Sequence, residues 1–136
     1  MGADLIDLSP TQQLRVVSAT EDELVVEATW QGSGSPPPTH WHPAQREELE
    51  VLEGELTVRL GDEETVYKAG SSFVVPPRVA HSMWNAGDSP CRARWRVTPP
   101  LRTLEMWHGL GSASLPRKVA GLWTFRREFR LGKPRA

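Results

Sequence analysis

The chain has 136 residues, of which 38% are hydrophobic and 24% charged, with a formal net charge of −1. That is enough chain for one domain with a sizeable core and too little for two. The near-neutral balance gives no basis for nucleic acid as the main partner, and no run reaches the ~20 apolar residues that a membrane span needs.

Taken in chain order, Met1 to Leu8 carries Asp4 and Asp7 and lacks a basic segment followed by an apolar one, so it does not read as a signal peptide. Ile6 stands where an N-myristoylation site needs Ser or Thr. The first clear strand holds Leu24, Val26, Ala28 and Trp30 on one face and Glu23, Val25, Glu27 and Thr29 on the other. Residues 32–38, Gly-Ser-Gly-Ser-Pro-Pro-Pro, form a loop. Short strands are expected at His40-Trp41-His42, Glu48 to Leu52 and Leu56 to Leu60. Gly61-Asp62 turns the chain into Thr65-Val66-Tyr67. Ser71 to Val75 is a further strand, stopped by Pro76-Pro77, and His81 to Asn85 the next. Cys91, Ala93, Trp95 and Val97 alternate with Arg92, Arg94, Arg96 and Thr98, the pattern of an antiparallel strand with one buried face. Many short strands with turns between them indicate an all-β sandwich or barrel, and 12 prolines agree with that.

Beyond Pro99-Pro100 the character changes. Leu101 to Trp107 suits a helix, Gly109 to Ser112 a break, and Ser114 with Pro116 the start of a second helix. Val119, Leu122, Trp123, Arg126 and Phe129 recur at helical spacing. Residues 1–100 thus read as the β domain and 101–136 as a helical extension packing on it. That extension could close a barrel mouth, lie outside, or build a dimer contact.

Chemistry concentrates in three histidines and one glutamate. His40 and His42 are two apart and point to the same side of a strand. Glu47 follows a short turn and shares its parity with Leu49 and Val51, while His81 shares a face with Met83 and Asn85. Imidazole and carboxylate together suit a borderline first-row metal and leave coordination positions open. Without a metal, three imidazoles and a carboxylate inside an apolar barrel would cost several kcal/mol.

These residues fall into two motifs. Gly34, His40, His42, Glu47 and Gly54 make the first; Gly70, Pro76, His81 and Asn85 the second, with Arg78 where a Gly is preferred. In both, the chain resembles the cupin superfamily. The resemblance implies a double-stranded β-helix, or jelly-roll barrel, with one divalent transition metal (Fe, Mn, Ni, Cu or Zn) near the open mouth on His40, His42, Glu47 and His81. It also implies a homodimer. Similar proteins include dioxygenases, oxalate-degrading enzymes, isomerases, polyketide cyclases, storage proteins and sensor domains, so fold does not settle function. The leading expectation is a metal-dependent enzyme, dioxygenase-like or isomerase- and cyclase-like. Glu47 would be its catalytic carboxylate, and Trp30, Val58, Val74, Met83, Trp95 and Val97 would wall a pocket for a small organic substrate. The alternative is a metal-holding or ligand-sensing module without turnover.

The remaining features have plainer readings. Arg92, Arg94 and Arg96 suit pairing with acids, which are plentiful between residues 47 and 64. The tail carries Arg117, Lys118, Arg126, Arg127, Arg130, Lys133 and Arg135 against Glu128 alone, and suits a solvated helix face. Cys91, the single cysteine, excludes an internal disulfide and fits a reducing cytoplasm.

Overall fold

A computed structural model describes residues 5–112 and 115–135, with only the backbone described at 111–112, 115–117 and 119. Two antiparallel sheets face each other. One has six strands: β1 (Leu5–Ser9), β2 (Gln12–Ala19), β3 (Leu24–Trp30), β10 (Cys91–Thr98), β5 (Arg46–Glu53) and β8 (Ser72–Val75), in that spatial order. The other has five: β11 (Arg130–Leu131), β4 (His40–Trp41), β9 (His81–Trp84), β6 (Glu55–Leu60) and β7 (Glu63–Lys68). The two sheets are the all-β sandwich or barrel that the alternating patterns predict, in the jelly-roll arrangement that the resemblance implies. The core lies between the sheets, where Leu14, Val26, Leu49, Val51, Leu56, Val58 and Ala93 are at most 1% exposed. Each fully buried Val or Leu contributes about 1.5–3 kcal/mol from apolar area.

The first hairpin, β1 and β2, was not legible beforehand. Ile6 and Leu14 do point inward, but irregularities in the ladder at Asp7/Ser9 and Val16/Ser18 break the period of two. The outer face of β10 carries the arginine stripe, and its acids come mainly from β3 rather than from residues 47–64. Glu27 meets Arg15 at 2.9 Å, Arg94 at 3.1 Å and Arg92 at 3.3 Å, and Glu23 meets Arg96 at 2.7 Å. From the expected range, Glu53 lies 3.8 Å from Arg92, and Glu48 stands opposite Arg96, whose pKa is raised by Glu23 first and by Glu48 to a smaller extent. Register puts an acid opposite Arg94 on both sides, Glu27 on β3 and Glu50 on β5, and the guanidinium turns to Glu27.

The last third departs from its periodicity. The first helix, α1 (Thr103–Ser112), runs through Gly109 and Gly111, where a break was expected, and packs against β1. The second, α2 (Leu115–Thr124), stops at Thr124 instead of continuing to Phe129. Residues 125–128 turn, and β11 joins the smaller sheet beside β4. Tertiary contacts override helical spacing here: Phe129 is drawn in beside His40, and Glu128 is fixed by Arg102. The N-cap assigned to Ser114 lies outside the described residues, as do the side chains of Pro116, Arg117 and Val119.

Candidate metal centre

Strands β4, β5 and β9 deliver His40, Glu47 and His81 to one place, and His42 joins them just past the end of β4, which stops a residue short of the expected strand. Nitrogens of His40, His42 and His81 lie within 4.8 Å of one another, and the ring centroids are 4.3–5.1 Å apart. Each histidine turns its Nδ1 to a main-chain carbonyl. His42 reaches Glu128 O at 2.7 Å, His81 reaches Val79 O at 2.9 Å, and His40 reaches Pro38 O at 3.5 Å. An Nδ1 that donates to a carbonyl leaves Nε2 as the ring's lone-pair atom, the form a metal ligand needs.

Glu47 completes the group. Its Oε1 lies 3.0 Å from Nε2 of His42 and 3.0 Å from Nε2 of His81. Neither contact has hydrogen-bond geometry, and all three atoms are buried without a partner. Its other oxygen, Oε2, accepts a 2.7 Å hydrogen bond from the Trp95 indole N–H. Burial opposes ionisation of Glu47, yet the His42 and His81 rings hold its carboxyl well below the usual range. Burial, with the neighbouring rings, pushes His40 down to about 3, so it stands as neutral imidazole. At His42 burial works the same way, but the Glu47 carboxylate raises it above its ordinary value. The Nε2 atoms of His42 and His81 and Oε1 of Glu47, buried without a hydrogen-bond partner, together with the His40 ring beside them, are a donor set that a divalent transition metal fits.

The motif residues around this cluster are structural. Asn85 donates from Nδ2 to Ser89 O at 2.7 Å and Trp30 O at 3.2 Å, and its Oδ1 accepts from Gly87 N–H, which staples the turn after β9. Arg78 takes a positive φ of 66°, the conformation for which a Gly is preferred. Its N–H donates to His42 O at 2.8 Å and its guanidinium lies over Trp41 at 5.0 Å, so the turn forms without glycine.

The cluster opens into a cavity of about 510 Å³. Trp30, Met83, Trp95 and Val97 line it, as do Trp107, Met106, Phe129 and Pro37. Two expected wall residues are placed elsewhere. Val74 alternates outward on β8 and is 36% exposed, and Val58 is packed in the core, off the cavity lining. β8 is an edge strand whose inward positions are Phe73 and Val75, so Val74 cannot reach the interior. Cys91 is fully buried, and burial, then Glu53, push its thiol up to about 11, which leaves it inert.

Sequence reasoning missed the part played by the segment after α2. Glu128, 1% exposed, offers its main-chain oxygen to His42 and accepts the Arg102 N–H on Oε2 at 3.1 Å. Phe129 meets the His40 ring edge-on at 6.0 Å and lines the cavity. Gly132 N–H donates to Thr39 O at 2.8 Å. The one available signal was that Glu128 is the lone acid in a basic tail.

Comparison with known proteins agrees with this architecture. A family profile described as a cupin domain matches residues 26–97, and the chain belongs to the cupin superfamily. Among solved structures, KdgF from Halomonas sp. is similar at a TM-score of 0.67 and 22% identity, over 74% of this chain and 90% of that one. An RmlC-like cupin from Shewanella frigidimarina gives 0.66 and 20%, over 75% and 88%. A protein from Silicibacter pomeroyi described as a sugar phosphate isomerase gives 0.63 and 15%, over 71% of each chain. These likenesses show the fold. No curated protein matches by sequence.

Proposed function

We propose that this cupin is a mononuclear metal-dependent enzyme. It binds one divalent first-row metal (Fe, Mn, Ni, Cu or Zn) through His40, His42, His81 and Glu47, and acts on a small organic molecule. The observation that carries this reading is the convergence of buried, partnerless Nε2 and Oε1 atoms at the edge of a largely apolar cavity. Such atoms are costly to leave without a partner, by about 1–3 kcal/mol each. When bound, the metal supplies Lewis acidity or, if redox-active, oxygen activation of the dioxygenase type.

The protein's own groups have separable tasks. The three Nδ1–H donors fix the rings, and Trp95 holds one oxygen of Glu47 so that the other faces the cluster. Glu47 is both ligand and, when substrate displaces it, the carboxylate placed to accept a proton. That second task serves isomerase- or cyclase-type chemistry as well as oxygenation. Trp107, Met106 and Phe129 limit water at the reacting end. The reading includes a homodimer, supported by exposed Leu5 (56%) and Val17 (46%) on the edge hairpin, and sedimentation equilibrium tests it.

Elemental analysis of tag-free protein beside a Glu47→Ala, His81→Ala variant is the direct test. Near one equivalent of a transition metal, lost in the variant, is expected. No metal in the wild type after reconstitution would overturn the reading and leave a ligand-binding barrel. One metal with no turnover of any chelating substrate would reduce it to a metal-holding module.

A further inference from the structure

The substrate class can be narrowed from what lines the cavity, given the reading of the cluster as a metal site. Three indoles form a continuous wall: Trp30 stacks on Trp95 with centroids 6.2 Å apart, and Trp95 meets Trp107 at 5.1 Å. Phe129 lines the cavity too. Apart from the histidines, Glu47 and the indole N–H groups of the three tryptophans, the polar side chains on the lining are Gln12, Gln45, Thr103 and Lys118. Gln45 has none of its amide hydrogens to spare. Its Nε2 lies 2.9 Å from Pro99 O, 2.9 Å from Pro100 O and 2.7 Å from Thr103 Oγ1. The Trp95 N–H is spent on Glu47, and the Nδ1 atoms are spent on main-chain carbonyls.

Charge is equally sparse. Among the described lining residues Glu47 is the one carboxylate and Lys118 the one lysine or arginine. Glu47 is committed to the histidine cluster, whereas Lys118 projects from the exposed side of α2. A polyhydroxylated ligand would bring a hydroxyl on nearly every carbon into a wall with few donors left, and each hydroxyl left without a partner weakens binding. A flat apolar ring system meets no such penalty and gains from the aromatic wall. We infer that the cavity takes a ring-containing apolar acid, its rings against the Trp30–Trp95–Trp107 wall and its anionic group on Lys118.

Isothermal titration with three probes tests this: 2-naphthoate, its neutral amide 2-naphthamide, and D-glucuronate. Each is titrated into the protein as purified, into metal-loaded protein, and into protein stripped with a chelator. A partly exposed ion pair contributes up to about 1 kcal/mol, so 2-naphthoate should bind roughly threefold to fivefold more tightly than the amide. Lys118→Met should abolish that ratio without changing amide binding, Lys118→Arg should keep it, and D-glucuronate should bind more weakly than either aromatic probe. D-Glucuronate binding as tightly as 2-naphthoate, or acid and amide binding equally to the wild type, would overturn the inference. A ratio that survives Lys118→Met but vanishes on stripping would place the anion on the metal and remove Lys118 from the argument. The stripped protein separates the two readings: failure to take up metal sinks the enzyme proposal, while the probe ratios there still decide the ligand class.

Discussion

Trp95→Phe isolates the hydrogen bond that orients Glu47. The Trp95 indole N–H donates to Glu47 Oε2 at 2.7 Å, with the two residues 7% and 1% exposed. Phenylalanine keeps a ring in the stack with Trp30 and Trp107 but donates nothing, so one oxygen of a buried carboxylate loses its donor. A hydrogen bond to a charged group in such a place contributes about 1.5–3 kcal/mol. The metal-free variant should therefore lose about 2 kcal/mol of unfolding free energy, or roughly 6–10 °C in melting temperature for a domain of this size. With Oε1 no longer aimed, metal affinity should fall about 10–100-fold, the usual effect of removing a partner that orients a ligand. Urea denaturation of stripped protein reads the first quantity, and competition against a fluorescent Zn²⁺ chelator reads the second. Trp30→Phe is the control, because it trims the same aromatic wall without touching Glu47. Metal affinity of Trp95→Phe within about twofold of wild type, or an equal loss in both variants, would refute the assignment.

Three further outcomes are expected. Glu128→Ala, which releases the turn whose carbonyl holds His42, should weaken Zn²⁺ binding about tenfold in the same competition assay, while Arg127→Ala on the exposed side should not. Gly54→Ala should cost about 3 kcal/mol in a urea melt, because φ is +77° and the new Cβ would stand 2.5 Å from Pro90 O. At Glu27 the hydrogen bond from Arg15, opposed by burial and aided by Arg94 and Arg92, lowers the carboxyl below its ordinary value. A carboxylate with a folded-state pKa below its unfolded one stabilises above the usual carboxylate range and loses that contribution as pH falls. Wild type should thus exceed Glu27→Gln in urea midpoint near pH 6, with the gap closing toward about pH 3; a gap independent of pH would contradict the assignment.

Much of this molecule was legible in the order of residues alone. Alternation along Leu24–Trp30 and Cys91–Val97 fixes which face of each strand is buried, because side chains on a strand change sides at every step. The spacing of His40, His42, Glu47 and His81 predicted one cluster, and these residues do converge. A period of two is a local property, so sequence suffices wherever a strand keeps it. It fails where bulges break it, as at Val16/Ser18; on β8 the period holds, and it is what turns Val74 away from the cavity.

What no local pattern contains is the identity of distant partners. Acids stand opposite the β10 arginines on both neighbouring strands, and only the side-chain geometry gave Arg94 to Glu27 and Arg96 to Glu23. The carbonyl that orients His42 comes from a residue 86 positions away. The helical spacing at Phe129 gave way because burying that ring beside His40 and tying Glu128 to Arg102 outweigh a weak intrinsic propensity. The sequence by itself determined the barrel and its four candidate ligands. The tertiary structure alone decided which groups aim those ligands and what kind of wall faces them, because hydrogen bonds and packing act across space without regard to separation along the chain.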